Sequence, residues 1–364
     1  MSTYGYHRLA AAVPRVRVAD VEFNTTELIS ATQQAAAQEA AVVCFPELCI
    51  TSASCADLFF QPALLKAAEA GLTRFANETA QLPIVSIVGL PLLLDDKLFN
   101  VAAVVQGGFV RGFVTKSIIP NKRESYERRQ FSPAAMLTRT EVALFGDCFR
   151  IPVGTDLIFE VDDELKFGIE IGDDAGALLP PSTRLAMQGA RVILNPSAAI
   201  SIAGRSEYNR NLIAARSGSC IAAYVHVGAG VHESTQDGVC GGYALIAENG
   251  RLAAQNEPYA RELSMVYADI DMQRLSAARL SESNFCDNLL QAEWPQPRCV
   301  QCHIDAPSCD LKYAYLPPRP FVPEPEIAAS RCEEILNIQA AALAKRIECA
   351  YAKTLVIGVS GGLD

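Results

Sequence analysis

The sequence predicts an α/β protein built as a four-layer α/β/β/α sandwich, two mixed sheets face to face with helices outside. Three observations predict it. Helical stretches alternate with apolar strands from the N-terminus to Pro91. Three hairpins then follow, turning at Gly107-Gly108, Asp162-Asp163 and Asn249-Gly250, so each sheet is antiparallel in part. The strands are short and almost continuously apolar, the pattern of strands buried on both faces.

Residues 9–13 form a first strand. Asn24-Thr25-Thr26-Glu27 reads as a helix start, with Asn24 as N-cap and Glu27 completing a capping box, and an Ala- and Gln-rich helix runs on to Ala40. Residues 41–45 are a buried strand ended by Pro46-Glu47, residues 62–81 a second helix and residues 84–91 the next strand. Residues 100–106 and 109–116 pair as one hairpin, and 157–161 and 166–171 as another. Residues 191–195 are a strand, 207–219 a helix and 221–227 a strand. Residues 243–248 turn through Asn249-Gly250 into a third hairpin, and 265–270 close the set.

From 281 to 326 prolines accumulate and periodicity fades, as in a linker or wrapping arm. A helix begins at Glu326, and residues 355–359 (LVIGV) read as a buried strand running into Ser360-Gly361-Gly362-Leu363-Asp364. One helix and one strand cannot bury a core. The domains expected are therefore 1–275, a linking arm over 276–325, and the opening of a second domain over 326–364.

The 364 residues are half hydrophobic and one fifth charged, which favours a compact globular protein over a disordered chain. A net charge of −10 argues against binding a nucleic-acid backbone. No apolar run reaches the ~20 residues of a membrane span, and the N-terminus has no basic flank before an apolar core. A cytoplasmic location is expected. Twelve cysteines fit free thiols there, several packed as small hydrophobes. Cys299-Val300-Gln301-Cys302-His303 has the spacing of a haem attachment site and, with Cys309, could ligate zinc. Attachment of haem needs export, so neither haem nor structural zinc is expected, and these read as cysteines of a Pro-rich arm.

Three polar or small residues stand at strand ends. Glu47 follows Val42-Val43-Cys44-Phe45-Pro46, Lys116 follows residues 109–115, and Gly172-Asp173-Asp174 follow residues 166–171. A strand ending in a sharp turn is where many α/β enzymes mount a nucleophile. A Glu, a Lys and a nucleophile so placed would cleave an amide, but Gly172 has no side chain.

Ser360-Gly361-Gly362-Leu363-Asp364 after an apolar strand is a phosphate-loop candidate, since glycines let backbone N–H groups approach an anion. It resembles the pyrophosphate loop of ATP pyrophosphatases. With that loop in view, the chain resembles the glutamine-dependent NAD synthetases, whose N-terminal part is a nitrilase (carbon–nitrogen hydrolase) domain. Phe45-Pro46-Glu47-Leu48, Lys116-Ser117-Ile118-Ile119-Pro120-Asn121, Tyr126-Glu127-Arg128-Arg129-Gln130-Phe131, Gly230-Val231-His232-Glu233-Ser234-Thr235 and Ile246-Ala247-Glu248-Asn249-Gly250 are family-like. Pro320-Phe321-Val322-Pro323 and the segment 333–346 resemble the synthetase junction.

The resemblance implies a nitrilase-like sandwich followed by the start of an ATP-pyrophosphatase-type α/β domain. It implies ATP-dependent amidation of nicotinic acid adenine dinucleotide, with glutamine as nitrogen donor, ATP and Mg²⁺ at the second domain, and a homo-oligomer. Glu47 would be the general base, Lys116 the oxyanion partner, and Gly172 stands where the family has its nucleophilic cysteine. The glutamine-binding positions would be Lys122, Asp173, Ala199 and Arg205. The ATP-binding positions would be Ser360, Gly361, Gly362 and Asp364.

The departures cluster around glutamine. Asp173 replaces a glutamate, Lys122 a tyrosine and Ala199 a serine; Ala175-Gly176 stand where an aromatic is expected, and Thr51-Ser52-Ala53 replaces a Gly-Tyr turn. Without sulfur there is no thioester. The glutaminase half is expected to be inactive, and the chain too short for ligation by itself. The alternatives are a stand-alone nitrilase-like amidase, or a catalytically dead domain kept as a scaffold for an ammonia-using synthetase.

Overall fold

In a computed structural model the described residues are all but 1–2, 123–124, 144–149, 236, 284, 286, 289–295, 305–308 and 363–364. The chain divides into two units, Met1–Ala314 and Tyr315–Asp364.

The first unit holds two mixed sheets. One has the order β14-β1-β2-β3-β4-β5-β7-β6, from β1 (Tyr6–Val13), β2 (Val42–Cys44), β3 (Val85–Leu94), β4 (Lys97–Gln106), β5 (Phe109–Thr115), β6 (Glu141–Val142), β7 (Ile151–Gly154) and β14 (Ser264–Asp271). The other has the order β13-β12-β11-β10-β9-β8-β15, from β8 (Leu157–Glu160), β9 (Lys166–Ile169), β10 (Val192–Ser197), β11 (Ala223–Gly228), β12 (Ala244–Glu248), β13 (Arg251–Gln255) and β15 (Arg298–Gln301).

Alternation along the strands builds the layers. On β1, Leu9, Ala11 and Val13 face the core between the sheets, where they meet Phe159, Phe167, Ile169, Leu194 and Val225. Ala10 and Ala12 face outward, into a core closed by α1 (Val21–Ala37) and α2 (Pro62–Glu78). Ile193, Tyr224 and Leu245 face out of the second sheet, against α3 (Pro181–Met187) and α4 (Arg205–Ser219). Three apolar cores between four layers are the sandwich that the strand pattern predicts. A further helix, α5 (Met272–Ser281), follows β14.

Several local expectations are corrected. The cap of α1 is Asp20, whose side chain accepts from Phe23 N at 3.1 Å. Asn24 is buried one turn inside, where its amide bonds Arg17 N, Arg17 O and Ile50 O. Glu27 pairs with Arg15 instead of closing a capping box. The strands are not all short: β3 and β4 have ten residues each and form a hairpin at Asp95 and Asp96, both at positive φ, that the sequence reading joined to no partner. The Pro-rich arm carries β15, parallel to β8 at the edge of the second sheet. Cys299 lies in this strand and Cys302 just after it: Cys302 is buried, and its N–H donates to Glu160 O at 2.8 Å.

Farther along, the arm is pinned to the first sheet. Arg8 on β1 makes two bonds to Asp269 of β14, at 2.6 and 3.0 Å, and pairs with Asp310. The Tyr313 ring covers the Arg8 guanidinium at 4.7 Å.

The second unit contains α6 (Ala328–Ala350), none of whose residues is buried. Residues 355–359 are not a strand there; Leu355, Val356, Ile357 and Val359 are exposed, and no described strand lies beside them to supply a ladder. No helix among the described residues is long and apolar enough to cross a membrane.

Candidate active site

The seven site residues expected in the first unit line one cavity of about 60 Å³: Glu47, Lys116, Lys122, Gly172, Asp173, Ala199 and Arg205. Glu47, Lys116 and Gly172 arrive beyond strand ends, and Arg205 opens α4. Glu47 follows β2, and its peptide lies against β3 at Gly89, where a Cβ would stand 2.2 Å from Leu48 N. Only a glycine permits that approach. Lys116 follows β5. Gly172 opens a 3-10 turn, Gly172–Gly176, three residues beyond the end of β9.

Glu47 and Lys116 are both buried, at 2% and 1% exposure, which makes every unmatched charge here costly. Lys116 Nζ donates to Glu47 Oε1 at 2.5 Å and to Glu127 Oε2 at 2.7 Å. Burial pulls the Lys116 pKa down, but Glu127 and Glu47 outweigh it and hold the ammonium above its ordinary value. Glu127 is pushed up to about 7, by burial first and by the charges of Glu47 and Asp173 against the pull of Lys116. Asn100 Nδ2 also donates to Glu47 Oε1 at 2.5 Å, and Ala198 N to Glu47 Oε2 at 3.0 Å. Both oxygens of the expected base are thus engaged.

Gly172 faces this pair. Its φ is +55°, and a Cβ built on it would lie 2.8 Å from Glu47 Oε2 and 3.0 Å from Lys116 Nζ. The direction of the absent side chain is therefore the Glu47–Lys116 contact itself. Lys122 Nζ bridges to Asp173 at 3.0 Å, while Arg205 lies on α4 with its guanidinium over Tyr208 at 5.1 Å. Ala199 N donates to Ser197 Oγ at 3.3 Å.

Four supporting residues were not in the sequence-derived site. Asn100 and Glu127 fix the Glu47–Lys116 pair. Asp174 is buried and accepts from Ile171 N, Ser117 N and Ile118 N at 3.2, 3.0 and 2.7 Å, tying the turn to the Lys116 loop. Burial pushes it up to about 7 against those three donors. Glu233 accepts from Ser52 Oγ at 2.5 Å, Ala53 N at 2.8 Å and Ser54 Oγ at 2.7 Å, which holds the turn after Glu47. One signal was available: Asn100 is a lone amide between Phe99 and Val101 in an apolar strand, and such a residue needs a buried partner.

Among the described residues no cysteine lines this cavity. Cys44 and Cys49 are buried, and burial raises both, Cys49 to about 12. Cys240 lines a larger neighbouring cavity with Glu47, but burial and the charges of Glu233 and Glu47 push it up to about 12. All three remain neutral thiols near pH 7.

In the second unit Ser360, Gly361 and Gly362 are exposed, and the described residues form no cradle around them. Asp364 lies outside the described residues.

A four-layer sandwich with a buried Glu and Lys converging on a strand-end turn is the frame of an enzyme class that splits carbon–nitrogen bonds. The chain belongs to the carbon–nitrogen hydrolase family, whose model matches residues 8–280. It is 35% identical to the glutamine-dependent NAD(+) synthetase of Mycobacterium tuberculosis and 34% identical to that of Mycobacterium leprae, over 99% of this chain in both cases and 54% and 53% of the relatives. It thus spans about half the length of the curated relatives it matches. A glutamine-dependent NAD(+) synthetase from Cytophaga hutchinsonii superposes with a TM-score of 0.64 at 25% identity, covering 73% of this chain and 43% of that one. An amidase from Nesterenkonia sp. AN1 shares the fold at 16% identity, with a TM-score of 0.57 over 75% of this chain and 99% of that one.

Proposed function

We propose that the first unit is the amide-hydrolase module of an NAD-synthesising protein and that it does not hydrolyse glutamine. The whole protein would then amidate nicotinic acid adenine dinucleotide with ATP, Mg²⁺ and ammonia from solution, as a cytoplasmic homo-oligomer. Among the described residues Ser360, Gly361 and Gly362 are exposed and form no cradle that fits ATP.

One observation carries the reading: at Gly172 the position of a nucleophile is backbone only, aimed at the Glu47–Lys116 contact. Hydrolysis by this family's route needs a nucleophile that attacks the amide carbon and a base that first takes its proton. Here there is no sulfur to form the thioester, and Glu47 is saturated by Lys116, Asn100 and Ala198. Direct attack by water would have to use Glu127, whose Oε2 already holds Lys116, because Asp173 is paired with Lys122, and it would lack the covalent step.

Ammonia release from glutamine tests this, on the chain as it stands and on Gly172→Cys. The expected result is no release by the unaltered chain. Sustained turnover by it would overturn the proposal. A Gly172→Cys chain that is silent while as stable to urea as the unaltered one would show that Lys122, Asp173 and Ala199 also matter.

A further inference from the structure

Beside the small cavity lies a larger one of about 370 Å³, and its wall has an unusual charge balance. Four carboxylates line it, those of Glu47, Glu127, Glu233 and Asp237, and none of its lining residues is Lys, Arg or His. Lys116, which lines the adjoining small cavity, bonds Glu47 and Glu127. Three aromatic rings complete it: Phe59 and Phe131, packed edge to face at 4.9 Å, and Tyr126 at the exposed side. The rings are independent of the acids and point to the same ligand chemistry, since a π face attracts a cation.

The carboxylates are unequal. Glu47 and Glu233 are filled by internal donors on both oxygens. Glu127 holds Lys116 through Oε2 only, and burial pushes its pKa up, so a cation beside it relieves a strained charge. Asp237 stands at the exposed rim. An anion or a zwitterion entering here would place its carboxylate among like charges, whereas an ammonium head with a short apolar body would satisfy acids and rings together.

We infer that this cavity is a binding site for a compact primary alkylammonium ion, recognised by Glu127 and Asp237 with Phe59, Tyr126 and Phe131 around its apolar part. The inference goes beyond the proposed function and does not depend on whether glutamine is hydrolysed.

The test is a binding series on the full chain by calorimetry and ligand-observed NMR. The probes are n-butylammonium, its neutral counterparts n-butanol and butyramide, the anion butyrate, and L-glutamine. A ligand of this size is expected to bind with Kd on the order of 1 mM. Butylammonium should bind about tenfold tighter than any of the other four. Glu127→Gln should weaken it about tenfold and Asp237→Asn about threefold. The rim variant keeps the test decisive if the buried one does not fold. Butyramide, butyrate or glutamine matching butylammonium would overturn the inference. So would no detectable butylammonium binding, or an affinity left unchanged by the charge-removing variants.

Discussion

Replacing Gly172 with alanine should destabilise the fold although it adds one methyl group to a turn. Two costs add. An L-residue at φ +55° costs about 1–2 kcal/mol over glycine. The Cβ would also sit 2.8 Å from Glu47 Oε2 and 3.0 Å from Lys116 Nζ. These are side-chain ends, which move cheaply when free, but Glu47 is held by three donors and Lys116 by two carboxylates. Overpacking against a locked pair costs about 1–3 kcal/mol, for a total of about 2–5 kcal/mol. Urea denaturation at pH 7 reads it as a shift in midpoint at constant m. Gly176→Ala is the control, because nothing lies within 4 Å of a Cβ there, and its effect should stay within about 0.5 kcal/mol. In a Glu47→Ala background the Gly172→Ala cost should fall to the backbone part, about 1–2 kcal/mol. A Gly172→Ala cost no larger than the control would refute the locked-pair account.

Two further outcomes follow from buried charge. Arg8→Ala leaves the Asp269 carboxylate buried without its cation, with donation from Tyr313 N at 2.8 Å and the Cys309 thiol beside it, and should cost about 3–5 kcal/mol by denaturation, much of it recovered in Arg8→Ala/Asp269→Asn. Glu127 and Asp174 both have folded-state pKa values pushed up to about 7, above their ordinary carboxyl values. Between about pH 4 and pH 7 the folded chain therefore binds more protons than the unfolded one, and their contribution to stability falls as pH rises through that window. Glu127→Gln should flatten that slope in a pH series of midpoints, and an unchanged slope would show that Glu127 does not titrate there.

The layers were legible because they follow from local patterns. The apolar runs through Val42, Ile87 and Leu194 announce strands, and Asn249-Gly250 announces its own hairpin. Glu47 and Lys116 were legible for another reason: their flanking residues resemble a family's, and both stand where a strand stops. What stayed hidden is long-range. Glu233 and Ser52 are 181 residues apart, and Arg8 and Asp269 are 261 apart. No local pattern encodes such pairings; each becomes visible only once the sheets are ordered. Asn24 failed in the opposite sense. Its local grammar is that of a cap, but the chain reaches the helix one turn earlier at Asp20, and tertiary burial gave Asn24 the backbone of Ile50 to bond.

That division also explains how the turn at Gly172 keeps its shape without a nucleophile. Its supports address the backbone, not the missing side chain. Asp174 holds the N–H groups of Ile171, Ser117 and Ile118. Asn195 Nδ2 donates to Glu170 O at 3.0 Å and Gly172 O at 3.3 Å, and its Oδ1 meets His226 Nδ1 at 2.6 Å. Burial depresses His226 to about 4, which keeps it neutral near pH 7. The glycine itself accepts positive φ without a Cβ clash. The charges beneath are balanced in the same self-contained way, one ammonium between two carboxylates, with Glu127 pushed up to about 7 to relieve the excess. The hydrogen bonds that shape this turn are thus made to its backbone within the protein, and none of them calls on a side chain at position 172.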